Sequence, residues 1–385
     1  MKHSGILRIL AVALTLSLLI LAIPATPALA GLLGTISYIY PATGPPGTLV
    51  SLYGYGFTST NSTCTVTYTV WWAGTVPLVT GATGTTGTIS TSFIVPTYYT
   101  RASYPITVTT NATDTSYPVY FTTIPQITLS PSSGYVGEQI TVTGSGFYAS
   151  SSVTIYFDTT AVVTTSATSS GTLTSIVFTV PPSYRGTHTV KGTDALGDSS
   201  PVSFTTLQKI TITPALAAVG DQITISGTGF AASQSATIYF DDETAGSATT
   251  NSVGTVSQTS FTIPASAWGS HTIRIQDASG YYATASFSTK QSTTLTPTSG
   301  PIGTKVTVSG SGFIANATVT ITFDDAAVTT ATAVVTTNSK GSFSTTLDIP
   351  ASSGGAHQVK ASDGTNTDTR TFTISATSSV SPTIR

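Results

Sequence analysis

Charge is the scarcest commodity in this chain. Only 7% of its 385 residues are Asp, Glu, Lys or Arg, and the net charge is −2. No basic stripe is available to neutralise phosphates or to hold an anionic surface, so nucleic acid is excluded as a partner. Cysteine is nearly missing too. A solitary Cys64 rules out an internal disulfide and leaves a small apolar strand residue, or a free thiol or intermolecular bridge in an exported protein. Beyond the first thirty residues no helical periodicity of useful length appears, which removes helical and mixed folds. No Ser/His/Asp or paired-carboxylate arrangement stands in a motif context, so the chain is not expected to be an enzyme.

What is present is hydrophobic and alternating. Apolar residues make up 39% of the chain and interleave with Thr and Ser, the pattern of half-buried strands rather than of a disordered segment. Met1 to Ala30 reads differently, as a secretory signal peptide: Lys2 and Arg8 precede an apolar run from Ile9 to Ile23, and Ala28-Leu29-Ala30 supplies the small-residue cleavage site. The mature chain is then expected to begin at Gly31 and to be secreted or held at the cell surface, with no membrane span after cleavage. Residues 376–385 form a polar tail.

The remaining sequence is organised by a repeat. Gly-x-Gly-Phe ends at Phe57, Phe147, Phe230 and Phe313, 90, 83 and 83 residues apart. Each copy follows a Pro, a Gly six residues later and a β-branched run, as in Pro131, Gly137 and Ile140-Thr141-Val142. Such a period implies tandem domains at 31–123, 124–207, 208–291 and 292–375. Each can be read as six or seven short strands with turns every 8 to 12 residues, the spacing of a β-sandwich. In Gly-x-Gly-Phe the glycines are expected to allow a tight turn at positive φ, with the Phe folding back to plug the core. No Gly/Ser linker separates the copies, so the fold class is all-β, with four immunoglobulin-like sandwiches in an extended rod. Aligning the copies on Val153-x-Ile155-x-Phe157 places Cys64-x-Val66-x-Tyr68 in the equivalent strand, with Cys64 level with Val153. Ala217 replaces Gly44, Gly134 and Gly300, which predicts a different turn in the third copy.

The pattern of Pro, Gly six later, alternating Val/Ile/Thr and Gly-x-Gly-Phe resembles the IPT/TIG family of immunoglobulin-like domains, and the resemblance extends over essentially all of the mature chain. It implies the sandwich fold. It does not specify a function, because similar domains serve surface proteins, polysaccharide-processing enzymes, receptor ectodomains and transcription factors.

His188, His271 and His357 recur in register, with Asp194, Asp277 and Asp363 six residues beyond. Six strand residues span about 20 Å, so these pairs cannot share a ligand shell. The equivalent position in the first copy is Tyr104, which mimics a tyrosine corner. The Asp residues are expected in local turn bonds. The acids after Phe157, Phe240 and Phe323 fall at a strand end before a hairpin, where turn chemistry explains them. A calcium site at Asp241, Asp242 and Glu243 is the alternative, and no other cofactor is expected.

The first copy is distinct in composition. It holds ten of the 17 tyrosines and Trp71 and Trp72. Exposed aromatics without a partner are costly, and Tyr53, Trp71, Tyr98 and Tyr99 are the candidates for contact with a ligand or partner. Sequons at Asn61, Asn111 and Asn316 are candidate glycosylation sites. Scarce Lys leaves strand edges poorly guarded, which favours self-association or association with other envelope proteins. Two functions are compatible with these features: a non-enzymatic envelope or surface scaffold, or an adhesin-like protein recognising carbohydrate or a protein through its first repeat.

Overall fold

A computed structural model describes residues 34–57, 67–83, 87–110 and 115–375, with the backbone alone for 67–72. The signal peptide, Cys64, Asn61, Asn111 and the polar tail lie outside the described residues. The chain divides into two compact units at Ile124 and Pro125. No described helix is long and apolar enough to cross a membrane.

The second repeat shows how the sequence makes the fold. A three-stranded antiparallel sheet has Gln139–Ser145 at its centre, flanked by Gln126–Ser130 and Leu173–Thr179. Facing it is a larger sheet in the order Ser133–Tyr135, Val202–Leu207, Gly186–Asp194, Ser152–Phe157 and Thr160–Ser166. Pro131 explains why the first strand changes sheets: it has no N–H to continue the ladder. After it the chain crosses over and pairs in parallel with Val202–Leu207. Alternation then fills the space between the sheets with Ile140, Val142, Val153, Ile155, Phe157, Val190 and Phe204.

Residues 208–291 repeat this order, as do 292–375, except that one edge strand shrinks to Ala326–Ala327 and Thr330 bridges to Leu347 of the other sheet. The first unit has the same two sheets: Thr35–Tyr40, Leu49–Tyr55 and Ile89–Ile94 in one, and Thr43–Gly44, Val119–Thr123, Ser103–Thr110, Thr67–Trp72 and Val76–Ala82 in the other.

Gly-x-Gly-Phe behaves as a turn and plug, but its glycines serve different ends. The second one takes positive φ in every copy: 77° at Gly56, 81° at Gly146, 73° at Gly229 and 71° at Gly312. At the first, a Cβ on Gly144 would sit 2.9 Å from the Phe147 ring and 2.8 Å from the Gln126 carbonyl oxygen, so the position must be bare for the ring to fold in. Phe147, Phe230 and Phe313 are fully buried.

Two sequence expectations need correction. Val190 pairs with Phe157 and Ile106 with Trp72, which sets Tyr68, Val70 and Trp72 level with Val153, Ile155 and Phe157. The residue level with Val153 is therefore Tyr68 and not Cys64. Period-two alternation survives a slip of four residues, and only the ladder to the neighbouring strand fixes the register. Ala217 does not alter its turn either: it is buried and pairs in parallel with Thr289, as Gly134 does with Thr206.

Within 125–375 successive repeats meet at a common joint. The Arg185 N–H donates to the Phe230 carbonyl at 3.0 Å, and one repeat later the Trp268 N–H donates to that of Phe313 at 2.9 Å. The strand Val202–Leu207 runs into Lys209–Thr213 with a single residue between them.

Candidate functional site: two recurrent side-chain constellations and a tyrosine face

The recurrent histidines do meet aspartates, though not those six residues away. His188 Nδ1 lies 2.7 Å from Asp158 Oδ2, His271 Nδ1 2.5 Å from Asp241 Oδ2, and His357 Nδ1 2.6 Å from Asp324 Oδ2. On the far side of each ring, Nε2 donates to a carbonyl four residues upstream: Tyr184, Ala267 or Ser353, at 2.8 to 2.9 Å. The second carboxylate oxygen accepts the N–H of the residue after the histidine, from Thr189, Thr272 or Gln358. Each imidazole also lies against the Phe preceding its Asp, with ring centroids 4.8 to 5.0 Å apart. With both nitrogens engaged, no ring atom is free to take a proton from a nucleophile.

The partner aspartates sit at the turn of a hairpin with positive φ: 51° at Asp158, 47° at Asp241 and 46° at Asp324. Asp is among the residues that tolerate this region, which is why the turn can carry a carboxylate. His357 is held above its ordinary pKa, first by the hydrogen bond to Asp324 and then by the Ser353 carbonyl. Asp324 is held below its own, chiefly by His357 and then by the Gln358 N–H.

Asp194, Asp277 and Asp363 do make turn bonds, and something further. Their Oδ1 atoms accept N–H groups in the turn that follows, such as Leu196, Ser279 and Thr365. Their Oδ2 atoms reach back to the residue after each plugging Phe: Tyr148 at 3.0 Å, Ala231 at 3.0 Å and Ile314 at 2.8 Å. Each Asp thus latches the Phe turn. At Asp363 burial works to raise the carboxyl, but the N–H groups of Ile314 and Asn366 hold it below its ordinary value.

The calcium candidates are committed elsewhere. Asp241 is bonded to His271, Asp242 pairs with Arg274 at 3.1 Å, and Glu243 is exposed at the start of the next strand. Among the described residues no group of three His, Cys, Asp or Glu side chains is placed to hold a metal ion.

Asn316 is exposed, with φ 55°, and matches Ser150 and Ser233 in the same left-handed turn position. Turn geometry alone therefore accounts for its residue type.

The first unit differs on the outside of its three-stranded sheet. Tyr38 pairs with Tyr53 and Tyr53 with Ser90, Tyr40 with Ser51 and Ser51 with Ser92, Thr35 with Tyr55, and Leu49 with Ile94. Residues opposite each other on a ladder share a face. Tyr38, Tyr40, Tyr55, Leu49 and Ile94 are exposed, Tyr40 at 74%. The half-buried Tyr53 stacks on Tyr38 with centroids 5.8 Å apart and planes 22° from parallel. In the second repeat the same ladder positions hold Thr128 and Thr143, whose hydroxyls bond at 2.6 Å, and Gln139 opposite Thr179. In the fourth, Lys305 faces Asp348 where the first has Leu49 and Ile94.

Of the sequence-derived contact candidates, Tyr53 lies on this face. Tyr98 and Tyr99 lie elsewhere: their rings are 5.0 Å apart, and Tyr99 packs edge-on to Tyr104 at 4.8 Å. Burial, then Tyr98 and Tyr104, raise the Tyr99 phenol above its ordinary pKa. Trp71 belongs to the other sheet, level with Thr107 and Pro77. Sequence reasoning missed Tyr38, Tyr40 and Tyr55 as members of one face. A β-bulge between Ile36 and Tyr38 shifts the parity, so that Tyr38 points outward although it stands two residues from buried Ile36.

A family model described as "IPT/TIG domain" matches residues 125–206, 205–290 and 291–375. No curated protein matches the sequence. Similar solved structures include native E. coli alpha-2-macroglobulin at 9% identity and TM-score 0.20, over 91% of this chain and 30% of that one. The mixed-linkage glucan utilization protein SGBP-B of Bacteroides ovatus is 15% identical at TM-score 0.24, over 58% of this chain and 61% of that one. A tetra-tandem repeat from the extending region of a large adhesion protein is 16% identical at TM-score 0.24, over 89% and 99%. The chain spans less than two thirds of the length of the first two, and at these scores the likenesses say nothing of activity or partner.

Proposed function

The chain belongs to the IPT/TIG domain family, and from that premise we propose that it is a non-enzymatic structural protein, secreted or displayed at the cell surface, in which residues 125–375 form a scaffold or spacer. The observation that carries this reading is where the recurrent polar groups go. In each of these three repeats the His–Asp pair and the Asp latch are spent on bonds within the repeat. The same main-chain joint connects one repeat to the next, as expected of an array that transmits position rather than performs chemistry.

Treating intact cells with proteinase K and following the chain by immunoblot tests the proposal, together with mass spectrometry of its N-terminus. Digestion from outside and a start at Gly31 are expected. A chain that stays protected and begins at Met1 would overturn it. A second reading, adhesin-like binding of carbohydrate or protein by the first unit, is favoured by the tyrosine face, which has no counterpart in the repeats that follow.

A further inference from the structure

We propose that the outer face of the sheet Thr35–Tyr40, Leu49–Tyr55 and Ile89–Ile94 binds a neutral polysaccharide. The proposal deepens the adhesin-like reading of the first unit and rests on it. Three observations favour this occupant.

The first is charge. None of the three strands contains Asp, Glu, Lys or Arg, so the face offers nothing to an anionic polymer and nothing to steer a charged protein surface.

The second is extent. The seven strand residues from Leu49 to Tyr55, six steps of about 3.3 Å, span about 20 Å, and three strands about 10 Å across, giving roughly 200–300 Å². A stable protein dimer needs about 800 Å² from each partner. A second copy of the chain would be too weakly held by this face, whereas a short run of sugar rings along the strands would cover it.

The third is chemistry. Tyr38 and Tyr53 form a near-parallel pair, Tyr40 and Tyr55 stand exposed beside it, and Ser51, Ser90 and Ser92 place hydroxyls in the same rows. Rings flanked by hydroxyls suit a ligand with apolar C–H faces and a hydroxyl rim, and a phenol presents both an apolar body and a polar tip. Leu49 and Ile94 extend the apolar surface where the fourth repeat places an ion pair.

The test uses variants whose folding the protein itself vouches for. Tyr38→Thr, Tyr40→Ser, Tyr53→Thr and Tyr55→Ser install what the second repeat carries at Thr128, Ser130, Thr143 and Ser145. Affinity electrophoresis of the full chain is run in gels containing hydroxyethyl cellulose, galactomannan, dextran or polygalacturonate. Retardation by at least one of the three neutral polymers is expected, insensitive to salt. It should weaken at least tenfold in the fourfold variant and persist in Tyr120→Ser, on the opposite sheet.

Retardation by polygalacturonate alone, by none of the neutral polymers, or equally in wild type and fourfold variant would overturn the proposal. So would sedimentation velocity showing a dimer that the fourfold variant abolishes, which would identify a second copy as the occupant. Each of these failures leaves surface display intact, because that is read separately by proteinase K.

Discussion

The first domain and the three that follow share a scaffold and solve one corner of it differently. In the later repeats an imidazole donates to the carbonyl four residues upstream and faces a hairpin carboxylate on its other side. The first domain has Tyr104 there, and its hydroxyl donates to the Thr100 carbonyl at 2.9 Å, the same backbone position. With the histidine gone the aspartate goes too: Ala73 stands at the hairpin position, still left-handed with φ 52°. The bond to the backbone is the shared requirement, and the carboxylate is needed only when a histidine supplies it. The outer sheet faces diverge in the same way, with phenol rings in one and threonine or serine hydroxyls in the others.

The largest expected effect tests what is shared. Phe230→Ala and Phe57→Ala each remove a buried ring that closes one end of a core, and each should destabilise its own domain by about 3–5 kcal/mol. Hydrogen exchange read peptide by peptide on the full chain checks this. A loss below about 1 kcal/mol for Phe57→Ala would mean that the first domain closes its core by other means.

Next in size is the latch. Asp277→Ala leaves the N–H groups of Ala231, Ser279 and Tyr281 without their acceptor, and should cost the third repeat about 1–3 kcal/mol. Ladder register puts Thr110 in this place in the first domain. Its hydroxyl is buried with no partner among the described residues, so Thr110→Val should be neutral or slightly stabilising. A large loss from Thr110→Val would show that the first domain has a latch of its own.

How much of this was legible depends on whether a feature leaves its mark on one residue or on two. Gly-x-Gly-Phe was legible because positive φ and room for a ring each demand glycine at a fixed place. Asp194 was readable as a turn residue, but its bond to Tyr148 was not, since that contact closes 46 residues. The His188–Asp158 pair spans 30 residues across two strands, and distance along one strand argues only against the wrong aspartate. The available signal was the joint departure of the first domain at Tyr104 and Ala73. The tyrosine face was hidden by one bulge, because alternation counted from Ile36 turns Tyr38 inward.

The histidine pair also makes a prediction in pH. His357 has its pKa raised above 6.5, so its contribution is complete below about 6.5 and is lost as pH rises through the raised value. Asp324 lies below 3.8, so its part is present above about 3.8 and is lost as pH falls through the lowered value. The pair is therefore most stabilising between the two. Opening of Gly355–Ser362 by hydrogen exchange should become easier from pH 6 to pH 9, and His357→Gln should remove that slope. Ser103–Thr110, with a tyrosine in the corner, should show none.

The smallest effect is the sharpest test of the comparison. Ala73 occupies a left-handed conformation that costs an alanine about 1–2 kcal/mol and that Asp tolerates better, so Ala73→Asp alone should stabilise the first domain by a fraction of that cost. Adding Tyr104→His rebuilds the corner of the later repeats on the first scaffold. If the pair is a self-contained unit, the double variant should acquire the pH slope of the fourth repeat, with Nε2 donating to the Thr100 carbonyl where the phenol did. A folded double variant with a flat pH profile would show that the imidazole also needs the ring beneath it. Phe157, Phe240 and Phe323 supply that ring in the later repeats, and the first domain has Trp72 at the same ladder position.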